Sequence, residues 1–348
     1  MSVAGRLARL IVFLAGGLLA ACGKPPVHQQ ESFVFGTRVE VLVAGESEAK
    51  ARSATAAVLH EFDRLHRTYH AWQPSELSTL NATFAAGGHQ AVMPEMAAFL
   101  GEAQELSRRG GGLFDPGIGE LIQLWGFHAD EYRPVLPAAA DVEAWRTAKA
   151  GIADLQLDGL DASSRNRHLA IDLGGYLKGV ALDHAAAILR AAGIRNALIN
   201  IGGNVMALGS KNGEAWKVGI QNPRQPGPLA TLALRDGEAI GTSGDYQRFF
   251  EVGGHRYCHL IDPRTGWPVT HTQALTVLMP PQEKAGTYSD AMTKPIFIAG
   301  ERWRETARLL GVANVLRVDA DGRVFLTRPM RERLEFVVEP PPAMEIVP

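Results

Sequence analysis

Residues 171–204 read IDLGGYLKGVALDHAAAILRAAGIRNALINIGGN. A strand ending at Ala170-Ile171 meets a Gly174-Gly175 turn, and the turn opens a helix over Lys178–Ala192. Ala181, Ala185, Ile188, Leu189 and Ala192 recur at helical spacing as its buried stripe, and Gly193 is placed to cap it. Downstream, short β-rich runs near 196–201, 216–221, 229–235, 238–242, 247–252 and 256–261 alternate with Gly, Asn and Asp turns. That pattern predicts antiparallel pairing. Upstream, Ser32–Val43 reads as a strand. Residues 47–66, 94–107, 120–125 and 138–149 read as helices. Helices near 286–299 and 301–310 and two closing strands complete the pattern. Strands, a helical block and more strands predict an α+β fold with antiparallel sheets flanked by helices. No repeat, low-complexity tract or long linker divides the chain, so residues 32–334 are taken as one catalytic domain. Residues 335–348, with Pro340, Pro341 and Pro342, read as an irregular tail.

The composition excludes several classes. Lys and Arg number 35 against 37 Asp and Glu, for a net charge of −2, which excludes a basic nucleic-acid binder. A 46% hydrophobic content can build a sizeable core. Two cysteines make no disulfide scaffold. The first, Cys22, ends Leu19-Ala20-Ala21-Cys22 behind a short apolar run and Arg6 and Arg9. Residues 1–21 therefore read as a lipoprotein signal peptide, with Cys22 as the lipidated residue and 22–31 as a flexible tether. The expected location is the bacterial cell envelope, lipid-anchored to a membrane and facing the periplasm. Cys258 is left as a lone thiol, read as a small buried residue.

Four segments carry chemistry-bearing residues. Leu113-Phe114-Asp115-Pro116-Gly117 is a turn between apolar runs, whose aromatic residues suit either a core or a flat ring ligand. Asp172, Gly175 and Lys178 surround the Gly-rich turn, where backbone N–H groups, an acid and a lysine can meet a dinucleotide or stay solvated. The glycine spacing matches neither a Rossmann fingerprint nor a P-loop. His259 precedes Asp262-Pro263-Arg264-Thr265-Gly266, as a general base or a structural histidine. Asp290 and Thr293 share a helix face, as hard-oxygen ligands or as a helix-end stabiliser.

Together, in order, FDPGIGELIQLWGF, IDLGGYLKGVALDHAAAILRAAGIRNALINIGGN, TSGDYQRFFE with HLIDPRTGWPV, and SDAMTKPIFIAG resemble the motifs of the ApbE family, the FAD:protein FMN transferases. The resemblance runs from about Phe33 to about Gly300. It implies a T-fold-like α+β domain that binds FAD and Mg²⁺. It also implies transfer of FMN to a Thr or Ser hydroxyl of an extracytoplasmic acceptor protein, with release of AMP. By similarity, Phe35, Leu113, Phe114, Asp115, Asp172, Lys178 and Ile261 would meet FAD. Gly175, Asp290 and Thr293 would hold the metal, and His259 would activate the acceptor hydroxyl. Two departures stand out. Many members carry Thr four residues after the metal aspartate, where this chain has Lys294. Phe35-Gly36-Thr37 stands where Met-Gly-Thr is common. An FAD pyrophosphatase of the same family is one alternative, and a non-catalytic flavin-binding lipoprotein serving respiratory-enzyme maturation is another.

Overall fold

A computed structural model describes residues 26–129, 131–337 and 343–347; the signal segment and Cys22 lie outside the described residues. A nine-stranded sheet organises them. Its strands are β1 (Val27–Val34), β2 (Thr37–Ala44), β3 (Ala197–Ile201), β4 (Asn204–Leu208), β5 (Ala239–Gly244), β6 (Thr272–Met279), β7 (Asn314–Asp319), β8 (Val324–Thr327) and β9 (Met344–Val347). They lie side by side in that order. All neighbours are antiparallel except β8 and β9, which are parallel.

Alternation along the strands decides which face meets what. Val39, Val41 and Val43 of β2 point to the helical face and pack with Ala51, Val58, Phe62 and Leu65 of α1 (Glu48–Thr68). The same core takes Ala181, Ala185 and Leu189 of a helix at Leu177–Ala191. The opposite face packs on a three-stranded sheet of Trp216–Gln221, Pro228–Leu234 and Leu334–Phe336. β6 is buried along its whole length, with Leu275 and Val277 toward the helices and Ala274 and Leu278 toward the small sheet. Each buried Val, Leu or Phe among them contributes about 1.5–3 kcal/mol of burial. The α+β architecture expected from the sequence is the one observed.

Several expected elements differ. The run 32–43 is a hairpin, broken by Phe35 and Gly36 at φ +57° and +67°, the two left-handed residues of a tight turn. β1 starts at Val27, so the last five residues of the expected tether are an edge strand. The tail is not irregular throughout: Leu334–Phe336 extends the small sheet, and Met344–Val347 gives the edge of β8 hydrogen-bond partners. Ala170 makes only an isolated bridge with Ile118, not a strand end. The helix expected over 286–299 is two, Ala285–Ala291 and Thr293–Ile298. Pro295 has no N–H for the Ala291 carbonyl, so one continuous helix is interrupted there. A helix at Glu76–Ala86, closed by a Ser75–Ser78 capping box, was not anticipated. In chain order, the helices after α1 are α2 (Glu76–Ala86), α3 (Pro94–Arg109), α4 (Gly119–Leu124), α5 (Ala139–Ala148), α6 (Leu177–Ala191), α7 (Ala285–Ala291), α8 (Thr293–Ile298), α9 (Trp303–Leu310) and α10 (Arg328–Arg331). Among the described residues no helix is long and apolar enough to cross a membrane.

Candidate active site

The Gly-rich turn before α6 is fixed from both sides. Asn81 bonds the N–H and the carbonyl of Ile171, at 2.8 and 2.9 Å. Asp172 accepts the Gly174 N–H at 2.7 Å on one oxygen and the Trp72 indole N–H at 3.1 Å on the other. Lys178, in the first turn of α6, donates to the Gly174 carbonyl at 3.0 Å. Gly175 has no side chain where a Cβ would stand 3.4 Å from Lys294 Cε and 3.5 Å from Phe114 Cε2. The bare turn therefore lets a cation and an aromatic ring close on the same backbone.

Helix α7 is brought against α6 by Asp183. Its carboxylate accepts the N–H groups of Gly286 and Thr287 at 2.8 Å each and the Thr287 hydroxyl at 2.7 Å, capping α7 from a neighbouring helix. Gly179 permits the crossing, since a Cβ there would lie 2.5 Å from the Gly286 carbonyl oxygen and 2.8 Å from Asp290 Cβ. The consequence is that Asp290 Oδ2 accepts the Gly179 N–H at 3.0 Å. Lys294 Nζ bonds Asp290 Oδ1 closely and the Asp290 carbonyl at 2.8 Å. Thr293 Oγ1 lies 2.6 Å from that same carbonyl and 2.7 Å from Ser243 Oγ of β5. Burial works against charge on Asp290, but the ammonium groups of Lys294 and Lys178 outweigh it and hold the carboxyl below its usual range. Burial lowers Lys294 to about 8, with Asp290 opposing the shift.

His259 lies within electrostatic reach of Lys178 and Lys294. Its Nδ1 is 3.2 Å from the Arg248 carbonyl, which only accepts, so Nδ1 carries the proton and Nε2 keeps its lone pair. Burial, and then the nearby charges of Arg248, Lys178 and Lys294, push its pKa well below the ordinary histidine value. The imidazole is neutral at pH 7 and in the tautomer that can take a proton.

The structure thus brings together Phe114, Asp172, Gly175, Lys178, His259, Asp290, Thr293 and Lys294. Phe35 stands apart, its ring 6.1 Å from Phe62 and 5.7 Å from His66 on α1. Leu113 is partly buried against the main core. Two residues expected at FAD turn their side chains to protein partners. Asp115 turns inward, its Oδ1 accepting the N–H groups of Gly117 at 2.7 Å and Ile152 at 2.8 Å, so it ties two loops together. Ile261 is 2% exposed and packs with Trp125, Phe127 and Phe250, so its side chain serves the core. Trp72 was missed; the only sequence signal was an aromatic residue in the polar stretch before the Ser75 cap.

The donor set does not fit the expected Mg²⁺. An ammonium sits on Asp290 Oδ1 where a divalent ion would bind, and the Thr293 hydroxyl is turned to Ser243 and the Asp290 carbonyl. A cluster of Glu61, Glu95 and His184 elsewhere is closed around Arg64, which bonds both carboxylates at 2.7–2.8 Å. It is an ion-pair network.

Comparison with known proteins places these residues in a family context. The sequence profile of the ApbE family matches residues 35–316. A Rhodobacter capsulatus FAD:protein FMN transferase is 41% identical over 325 residues, 93% of this chain. The chain spans 61% of the length of that relative. A Vibrio cholerae FAD:protein FMN transferase is 31% identical over 82% of this chain and 85% of its own. The crystal structure of the ApbE protein from Thermotoga maritima superposes with a TM-score of 0.81 at 27% identity, covering 88% of this chain and 99% of that one.

Proposed function

The chain belongs to the ApbE family, and we propose that it acts as an FAD:protein FMN transferase. In this reading an acceptor Thr or Ser hydroxyl attacks the FMN-side phosphorus of FAD. The P–O bond to the AMP moiety breaks, AMP leaves, and a phosphoester joins FMN to the acceptor. The observation that carries the reading is His259, with Nδ1 on the Arg248 carbonyl and Nε2 left to take a proton, within electrostatic reach of the cations Lys178 and Lys294.

Each residue has a task that its surroundings support. His259 Nε2 takes the hydroxyl proton as the new bond forms, and Arg248 keeps the ring oriented through its carbonyl. Lys178, beside the Gly174 carbonyl, faces developing charge on the phosphate oxygens. The Asp172-fixed turn offers backbone to the pyrophosphate without a side chain in the way. Mg²⁺, which the family resemblance implies at these phosphates, is not assigned to Asp290 here, because Lys294 already holds that carboxylate.

The reading extends to place and partner. Lipidation at Cys22 would hold the protein on a membrane, facing an acceptor in the periplasm. Cys22→Ser should leave an unprocessed or soluble chain, scored by membrane fractionation; normal anchoring would refute the lipoprotein assignment. For the activity, the protein is incubated with FAD and a candidate acceptor, while AMP release and acceptor mass are followed. Transfer gives AMP and an acceptor heavier by one FMN residue in equal amounts. AMP without a mass change means hydrolysis, and neither means a flavin carrier.

A further inference from the structure

We propose that the Lys294 ammonium is the resident cation of the pyrophosphate site, taking the place on Asp290 that a divalent metal would fill, so that FAD cleavage proceeds without a metal there. The proposal rests on the transferase reading and deepens it.

Five observations carry it. Asp290 is 1% exposed, and its two oxygens are divided between Lys294 Nζ and the Gly179 N–H. The Lys294 side chain is 13% exposed, so its head is sheltered but not sealed. An ammonium has three donors. Two lie on Asp290, at Oδ1 and at the carbonyl, which leaves the third for a ligand oxygen. The stem runs past Gly175, whose missing Cβ leaves Cε its path along the turn that faces the dinucleotide. Finally, Thr293 does not stand in for the displaced ligand: its hydroxyl is bonded to Ser243 and to the Asp290 carbonyl.

The two cations exclude each other. A magnesium ion needs near-octahedral oxygens at about 2.0–2.1 Å and keeps several waters. Lys294 occupies the approach to Asp290 Oδ1, and a divalent ion beside it would repel the ammonium in a buried site. Lysine also delivers one positive charge where magnesium delivers two. The site should therefore neutralise the pyrophosphate less strongly, and it should do so without drawing on the metal supply.

The test uses the intact protein with Mn²⁺ as the metal probe. Mn²⁺ bound per chain is counted by electron paramagnetic resonance, and AMP release from FAD is measured with the candidate acceptor present, in Mg²⁺ and in EDTA. Wild type should bind no Mn²⁺ at Asp290 and should lose less than about threefold of its rate in EDTA. Lys294→Thr should bind one additional Mn²⁺, lost again when Asp290→Asn is added. Its AMP release should fall at least about 100-fold in EDTA and recover in Mg²⁺. Wild type that binds one Mn²⁺ abolished by Asp290→Asn, or that stops releasing AMP in EDTA, overturns the proposal. Both wild-type measurements decide even if Lys294→Thr fails to fold. A wild type that releases no AMP under any condition refutes the transferase reading instead, and the Mn²⁺ count then decides the Lys294 assignment by itself.

Discussion

Asp115→Asn separates an anchoring role from a ligand role, and its size follows from the site. The Asp115 carboxyl is partly buried, and burial raises it from 3.8 to about 6 against the two N–H groups that favour its charge. A group whose folded-state pKa is raised binds more protons folded than unfolded over the interval between the two values. Stability therefore falls as pH climbs through that interval. At about 1.4 kcal/mol per unit, the full effect is about 3 kcal/mol, of which about 2 kcal/mol develops between pH 4.5 and 7.5. Asparagine is never charged and keeps an oxygen for the Gly117 and Ile152 N–H groups. Urea unfolding of both proteins at pH 4.5, 6 and 7.5 should show the variant gaining about 2 kcal/mol on wild type across the series. Flavin fluorescence should give unchanged FAD affinity. A stability difference that does not vary with pH refutes the burial argument. Loss of FAD affinity in a stable variant would return Asp115 to the ligand site.

His259→Gln should lower FMN transfer by about 100-fold or more while FAD affinity holds, measured by acceptor mass against time. Because its pKa lies well below 6.5, the acid limb of the wild-type rate should lie below the ordinary histidine range, where the base protonates, and a separate fall above about pH 8 should follow loss of the Lys294 proton. Asp183→Ala strands the N–H groups of Gly286 and Thr287 at the buried start of α7. It should cost about 3–5 kcal/mol of stability in a denaturant titration, with AMP release failing first as Asp290 loses its position.

Legibility in the sequence followed the range of the interactions. Helix α6 could be read because its apolar stripe is a local pattern, and the observed span differs by one residue at each end. The β1–β2 hairpin could not, because Phe35-Gly36 lacks the Asn-Gly or Asp-Gly signature and the β-rich run continues on both sides of it. β9 joins the sheet through a parallel pairing with β8 that no local pattern announces. At the site, residue types were legible but side-chain directions were not. Asp115 and Ile261 sit in motifs with the right residues, yet one carboxylate turns to backbone and one side chain turns to the core. Lys294 was visible as a departure. Its bond to Asp290 follows from i, i+4 spacing, which persists across the α7–α8 break.

Contacts independent of residue 294 are what would let a lysine stand in at this site without remodelling it. Asp290 is positioned by contacts that owe nothing to residue 294: the Gly179 N–H on one oxygen, the close α6–α7 crossing, and the Asp183 cap at the far end of α7. Thr293 is positioned separately, through Ser243 of β5. The anionic partner is thus held by the fold, and the identity of its cation is left to one side chain that reaches back from α8. A site built this way can exchange a metal for an ammonium by a single substitution, because the rest of the donor set stays in place. The same reasoning makes Lys294→Thr informative: it alters the cation while leaving intact the contacts that hold the carboxylate, so a change in metal binding reports on residue 294 itself.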